Sequence, residues 1–321
     1  MTLCIGLLVG CDKDNDEYKP IKPPIEQPER PDTPIISTDD IIKTRIGDIN
    51  MIIGTNTWNA IAYGNGRYVA VGQSGYIAYS SDGVKWTTKQ FGENFWNNVI
   101  YASGKFVAVG GYSDGGYVAT STDGVIWTTR KNITDAHIFG ICYSGNLFVI
   151  VCHWGTSKDR GYILTSIDGV TWTSKTTIGY SYGWNAVAYG NGKFVAVGDG
   201  EYGTSGNCGI AMSSNGSNWS IVNNFKTNWS AVTYGNGKFV VAGSSGYITT
   251  SSDGITWTTP KQIGTKTWNH IIISNGKFMA VGIGGYITTS IDGENWTTPE
   301  QIKDESGKVV TVILNGVCVM P

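Results

Sequence analysis

One stretch of sequence occurs six times in this chain of 321 residues, and this repeat constrains the fold more than any other feature. The first copy, Trp58–Thr88, contains four short apolar runs separated by turn residues. The other copies are Trp96–Thr129, Ile138–Ser174, Trp184–Ser220, Trp229–Thr259 and Trp268–Thr298. An internal period of this length indicates a solenoid, a propeller or an array, so the repeat decides the architecture.

The apolar runs within one copy have the composition of β-strands. They are too short for helices and rich in Val, Ile, Tyr, Phe and Trp, which suit a half-buried pleated surface. Gly64-Asn65-Gly66 separates the first two runs and can adopt the positive φ that a tight hairpin requires. Four strands in a repeat of about 40 residues, with a Trp near the end, are typical of a propeller blade. The sequence therefore predicts an all-β propeller.

The two ends of the chain predict one more blade. Ser37–Thr44 matches Ser121–Thr128, and Val309–Met320 matches the first two strands of a blade with Asn315-Gly316 as their hairpin turn. We expect seven four-stranded blades, the last built from two C-terminal and two N-terminal strands, because such closure leaves no open sheet edge. The alternative is six blades with decorated ends.

Each of the six copies also contains a Ser-x-Asp-Gly-x-x-Trp turn, with Asn in place of Asp in one copy, and Ser37–Thr44 is a seventh, partial match. The acidic or amide positions are Asp39 in the partial match and Asp82, Asp123, Asp168, Asn215, Asp253 and Asp292 in the six copies. This element resembles the Asp-box of the bacterial neuraminidase repeat family, although it is one residue shorter between Asp and Gly. The resemblance implies a propeller in which the box is a turn device on the face opposite the usual binding site. The repeat also resembles the propellers of photosystem assembly factors, which act as scaffolds.

The N-terminal part predicts export and lipid anchoring. Residues 1–11 end in Leu8-Val9-Gly10-Cys11, which looks like a bacterial lipobox with Cys11 as the lipidated residue. Residues 12–32 are acidic and Pro-rich, so they predict an extended tether, and 33–321 form the propeller. This order resembles surface lipoproteins and predicts a cell-envelope location, anchored to the outer membrane on its periplasmic side or at the surface. A net charge of −2 and no basic run argue against nucleic acid as a partner.

The candidate binding site lies on the face that carries the second-to-third strand loops, here called the top face. These loops are long in blades 2, 3 and 4: Gly110–Gly116, Cys152–Gly161 and Gly198–Cys208. The candidate residues in and near them are Tyr112, Asp114, His153, Trp154, Arg160, Tyr182, Asp199, Glu201 and Tyr202. Aromatic faces beside carboxylates and amides suit a glycan or a peptide, whereas ordinary solvated loops are the alternative interpretation.

Two further sets of residues have a structural and a functional interpretation. A Trp opens the innermost strand of five copies, at Trp58, Trp96, Trp184, Trp229 and Trp268. These residues either ring the channel mouth or pack between blades, and their repetition favours packing. Cys152 and Cys208 flank long top loops in neighbouring blades, and a disulfide between them is a hypothesis for an exported protein.

The motifs argue against catalysis. Sialidases that carry the Asp-box use three arginines on the substrate carboxylate, but Arg67 occupies a turn-proximal position and should face the other end. Asp159, Asp199 and Glu201 could supply the two carboxylates of a glycosidase, as could any acidic loop. No zinc spacing or phosphate loop occurs, so no metal or cofactor is predicted.

The predicted function is a non-enzymatic binding or scaffold module for a glycan or a protein. The alternatives are a subunit of an envelope protein assembly and a glycoside hydrolase of sialidase-like fold.

Overall fold

The computed structural model describes residues 56–112, 115–134, 136–155, 161–173, 176–178, 183–199, 208–303, 307–309, 313 and 315–316. The predicted lipidation residue Cys11, the tether 12–32 and the predicted turn residue Asp39 lie outside this part of the chain.

The described residues form a β-propeller of six four-stranded antiparallel blades, and within each blade the strands follow chain order. Blade 1 contains β1 (Trp58–Gly64), β2 (Arg67–Gly72), β3 (Tyr76–Ser80) and β4 (Thr87–Gln90). Blade 2 contains β5 (Trp96–Ala102), β6 (Lys105–Tyr112), β7 (Gly115–Ser121) and β8 (Thr128–Thr134). Blade 3 contains β9 (Ala136–Tyr143), β10 (Phe148–Gly155), β11 (Tyr162–Ser166) and β12 (Thr176–Thr177).

The other three blades repeat this order. Blade 4 contains β13 (Gly183–Gly190), β14 (Lys193–Asp199), β15 (Cys208–Ser213) and β16 (Ser220–Phe225). Blade 5 contains β17 (Trp229–Gly235), β18 (Lys238–Gly243), β19 (Tyr247–Ser251) and β20 (Lys261–Gln262). Blade 6 contains β21 (Trp268–Ser274), β22 (Lys277–Gly282), β23 (Tyr286–Ser290) and β24 (Glu300–Gln301). Two 3₁₀ turns, Gln73–Gly75 and Ser244–Gly246, connect the second and third strands of blades 1 and 5.

The prediction of seven blades is wrong, and the six-blade alternative is correct. Among the described residues after β24, the only β-bridge joins Lys303 and Val309. Asn315 lies beside the start of β1, where its Nδ2 donates to the Trp58 carbonyl at 3.3 Å. The hairpin turn of blade 1 is at the other end of that strand, so Asn315 does not occupy the hairpin position that the sequence predicts. The other proposed half of the seventh blade, Ser37–Thr44, lies outside the described residues.

The hydrophobic core lies between neighbouring blades. The innermost strands of successive blades contact one another from β1 through β5, β9, β13 and β17 to β21. Apolar side chains from adjacent blades form a separate cluster at each of these five interfaces. β6 turns Phe106 and Ala108 towards blade 1 and Val107 and Val109 towards blade 3. Because both faces of such a blade are apolar and each needs a neighbour, no blade can bury its core alone.

Hydrogen bonds between blades place the hairpin turns and the Ser-x-Asp-Gly turns on the same face, here called the bottom face. Arg67 in blade 1 donates from Nη1 to the Asp123 carbonyl of blade 2 at 3.0 Å. Lys105 in blade 2 donates from Nζ to the Asp168 carbonyl of blade 3 at 2.9 Å. Arg67 is therefore directed away from the top face, as the sequence predicts.

Candidate functional site

The long top loops are only partly described. Tyr112 ends β6 and Trp154 lies in β10, but their side chains are outside what the structure describes. The other candidates outside the described residues are Asp114, Arg160, Tyr182, Glu201 and Tyr202. His153 and Asp199 are the two predicted binding residues whose side chains are described.

The structure brings His153 and Asp199 together across the boundary between blades 3 and 4. His153 Nε2 lies 3.7 Å from Asp199 Oδ2, and both side chains remain accessible, at 24% and 35%. The His153 ring also lies 5.3 Å from the ring of Phe139, which is 37% exposed. We call these three residues the top cluster. It combines an ionisable pair with an exposed aromatic surface.

Gly183 makes room for the His153 ring. It begins β13, and a Cβ placed there would lie 2.0 Å from Nε2 of His153. Any larger residue at position 183 would therefore displace the imidazole from Asp199. The small residue and the two polar residues come from three different strands, so the cluster depends on how blades 3 and 4 pack.

The tryptophans that open the innermost strands are packing residues. Trp96, Trp184, Trp229 and Trp268 are fully buried, and each belongs to a core cluster between blades. The prediction that these tryptophans pack between blades, and do not form a ring of exposed aromatics at the channel mouth, is therefore correct for these four.

In all six blades, the residue that follows the opening Trp (Ile138 in blade 3) lines the central channel. The sequence analysis did not identify this feature. Every innermost strand has a β-bulge there, shown by register shifts between Trp58 and Ala60 and at the equivalent places in the other blades. A bulge adds one residue to the strand and redirects its side chain. The redirected residues are Asn59, Asn97, Phe139, Asn185, Ser230 and Asn269. All six line the top of the central channel.

The channel asparagines join one blade to the next. Nδ2 of Asn59 donates to the Trp96 carbonyl at 2.9 Å, and Nδ2 of Asn97 donates to the Ile138 carbonyl at 2.8 Å. Asn185 makes the same bond to Trp229 at 3.0 Å. A Trp-Asn pair occurs in four copies and is the sequence signal for this ring of asparagines. Because repetition by itself predicts a core position, the Asn of each pair was not identified as a channel residue.

The channel mouth encloses a cavity of about 340 Å³. Its polar wall consists of Asn59, Asn97, Asn98, Asn185, Ser230, Asn269, His270 and Asn315. Among the described residues that line it, none is Lys, Arg, Asp or Glu. Burial lowers the pKa of the His270 imidazole to about 3, so this ring is neutral at physiological pH. The arrangement can offer hydrogen bonds to a ligand, but it offers no charge.

Six Ser-x-Asp-Gly turns fix the bottom face. In blade 5, Oδ1 of Asp253 accepts bonds from the backbone amides of Ile255 at 2.8 Å and Thr256 at 2.7 Å. Ser251 Oγ accepts from the Gly254 amide at 2.8 Å. Asn215 Oδ1 makes the equivalent bonds in blade 4, so the turn requires an acceptor and not a charge.

These turns predict acid sensitivity. The amides of Thr256 and Ile255 lower the pKa of Asp253 from 3.8 to about 2. Because the folded-state pKa is below the unfolded one, this stabilisation is complete above about pH 4 and is lost as the pH falls towards 2. We expect Asp253→Asn to reduce the fall in Tm between pH 4 and 2. Asp253→Ala should instead lower Tm at pH 7, by roughly 2–4 °C for a loss of about 1 kcal/mol. Thermal unfolding across pH measures both, and equal behaviour of the two variants would contradict the acceptor role.

The predicted disulfide between Cys152 and Cys208 stays a prediction. Cys152 is buried in β10. Cys208 begins β15, and its side chain lies outside the described residues.

No catalytic constellation can be assembled from the described residues. Asp159 and Glu201, two of the three carboxylates considered for a glycosidase, lie outside them. The described residues contain no group of three or more His, Cys, Asp or Glu side chains placed to hold a metal ion. Within that same part of the chain, no helix is long and apolar enough to cross a membrane.

Comparison with known proteins supports the fold. No family model and no curated protein matches this sequence. YCF48 bound to D1 peptide matches with a TM-score of 0.57 at 15% identity, over 76% of this chain and 80% of that chain. YCF48 from Cyanidioschyzon merolae matches with a TM-score of 0.56 at 15% identity, over 76% and 85%. The WD40 β-propeller domain of Doa1 matches with a TM-score of 0.56 at 11% identity, over 82% and 91%. At such low identity these matches define the class, a β-propeller, and the link to the neuraminidase repeat family stays a resemblance.

Proposed function

We propose that this chain is a non-enzymatic binding propeller that holds a protein partner on the top face of blades 2–4. The observation that carries the proposal is the top cluster. His153 and Asp199 come from two different blades with long loops, and they meet at 3.7 Å beside an exposed Phe139 ring. Aromatic residues are enriched at protein interfaces, and accessible charged groups around them give specificity.

Two other arguments support a protein partner. One of the solved propellers that resemble this chain is bound to a peptide, which shows that this architecture can present such a surface. The predicted lipid anchor at Cys11 and the tether 12–32 would hold the propeller at the cell envelope, where it can recruit or scaffold other proteins. Membership of an envelope protein assembly is one form that this function can take.

The test uses cross-linking in native membranes followed by purification of the full chain. Phe139→Asn is the sharpest variant, because four other blades carry Asn at this position and should tolerate it. We expect Phe139→Asn and His153→Ala to lose a specific cross-linked partner, while Lys85→Ala, an exposed bottom-face change, keeps it. Retention of that partner by both top-face variants would contradict the proposal.

A glycan is the second ligand class that the loops predict. A glycan array compares the wild-type propeller with a Trp154→Ala, Tyr202→Ala variant. Glycan binding that disappears in this variant, together with no protein partner in the cross-linking experiment, would assign the top face to carbohydrate instead.

A further inference from the structure

Two of the residues at the channel mouth differ from their counterparts in the other blades. The second residue after the opening Trp of each copy (Ile138 in blade 3) lies between adjacent blades and is small in four of them, as Ala60, Gly140, Ala186 and Ala231. In blades 2 and 6 this position is Asn98 and His270. Packing therefore does not require a polar side chain here, since four blades do without one.

Both polar side chains are buried with an unsatisfied atom. Asn98 and His270 are each 7% exposed, and Asn98 Oδ1 and His270 Nδ1 have no hydrogen-bond partner. Only the Nδ2 side of Asn98 is engaged, by donation to the Phe139 carbonyl at 3.3 Å. Buried polar groups almost always find partners, so two unsatisfied atoms in the wall of one cavity call for an explanation. A bound ligand would provide it.

We infer that the cavity at the top of the central channel binds a neutral, hydroxyl-rich ligand of the size of one sugar residue. Hydroxyl groups both donate and accept, so they can satisfy an amide oxygen and an imidazole nitrogen at the same time. The cavity of about 340 Å³ lies at the lower end of the range for small-molecule sites, which suits a single ring and not an extended chain.

The rest of the wall agrees with this ligand class. Amides from Asn59, Asn97, Asn185 and Asn269 converge on the cavity from different blades. Phe139 contributes an apolar ring face against which the carbon face of a sugar can pack. A charged ligand would lose its hydration without gaining a counter-charge, because no lining residue in the described part of the chain is charged at neutral pH.

A rotation must prepare the site. Asn98 and His270 line the cavity, but Asn98 Oδ1 and His270 Nδ1 are buried. A ligand reaches these atoms after rotation of the Asn98 amide or the His270 ring about its last side-chain torsion. These terminal torsions have broad energy wells, and rotation of Asn98 exchanges its 3.3 Å bond to the Phe139 carbonyl for bonds to the ligand. The site is separate from the proposed protein surface except for Phe139, and either proposal can fail while the other holds.

The test is calorimetric titration of the full chain with neutral monosaccharides: glucose, galactose, mannose and N-acetylglucosamine. Glucuronic acid and glucosamine serve as charged comparisons. We expect at least one neutral sugar to bind, and its affinity to fall about tenfold in Asn98→Ala and in His270→Ala, the value for one lost hydrogen bond of ordinary strength. Both variants carry the residue found in other blades, so the fold should be kept, and Tm measurement checks this.

Three outcomes would overturn the inference. The first is no binding of any neutral sugar at tens of millimolar, which would leave water as the partner of the two atoms. The second is unchanged affinity in both alanine variants. The third is tighter binding of a charged sugar than of its neutral counterpart. Lys85→Ala, on the bottom face, is the control that should bind as the wild type does.

Discussion

Replacement of Trp229 by alanine is expected to lower the free energy of unfolding by about 3–5 kcal/mol, the range for removal of a large buried aromatic side chain. Trp229 is fully buried between blades 4 and 5, and its indole meets the Phe225 ring edge-on at 5.8 Å. Its Nε1 has no hydrogen-bond partner, so nearly all of its contribution is packing. Chemical denaturation measures the loss.

Two variants separate packing from other effects. Trp229→Phe keeps an aromatic ring and removes the unsatisfied N–H, so we expect a clearly smaller loss than for alanine. Ile126→Ala changes a side chain that is 74% exposed and should stay within about 0.5 kcal/mol of the wild type. If Trp229→Ala were as mild as Ile126→Ala, the assignment of these tryptophans to the core between blades would be wrong.

The repeat predicted the blades because strand period and turn chemistry are local. Gly64-Asn65-Gly66 and the Ser80-x-Asp82-Gly83 turn specify their own geometry. The structure has Asn65 at a φ of 48° and Oδ1 of Asp82 bonded to two backbone amides at 2.8 Å. Such signals depend only on neighbours within a few residues, so they can be identified from the sequence without knowledge of the tertiary structure.

The predicted number of blades was wrong for the opposite reason, because it depends on long-range contacts. The match of Val309–Met320 to two strands rested on composition and on Asn315-Gly316 as a turn. In the structure Asn315 instead donates to the Trp58 carbonyl, as Asn59 does to the Trp96 carbonyl. An Asn next to a Gly fits a hairpin turn and a channel position equally well, and only long-range contacts distinguish the two.

The candidate site was half visible in the sequence. Loop length in neighbouring blades selected His153 and Asp199, and the structure shows them in contact range. The channel was missed because a bulge is not encoded by hydrophobic alternation, and a one-residue shift moves a side chain to the other face of a strand. Asn98 and His270 could have been found as polar residues at positions that hold Ala or Gly in the other copies.

Acid is expected to destabilise this propeller through His270 before the turn carboxylates are affected. Burial lowers the pKa of His270 from 6.5 to about 3 in the folded chain. Below pH 6.5 the unfolded chain therefore takes up a proton at this residue that the folded chain excludes, so stability falls as the pH drops from 6.5 towards 3. The slope approaches about 1.4 kcal/mol per pH unit when one proton separates the two states, which amounts to a few kcal/mol over the window.

His270→Ala isolates this effect, because three other blades carry Ala at the equivalent position. We expect the Tm of the variant to change much less than that of the wild type between pH 6.5 and 4. Below about pH 3 the two should fall together, since His270 is then protonated in both the folded and the unfolded chain and protonation of carboxylates such as Asp253 dominates. Parallel curves over the upper window would mean that His270 is protonated in the folded state. Divergent curves would show that the chain keeps a neutral, buried imidazole at the cost of stability in acid, although alanine suffices for packing. A ligand-binding channel requires such a polar group despite its cost in stability at acid pH, whereas a purely structural channel does not.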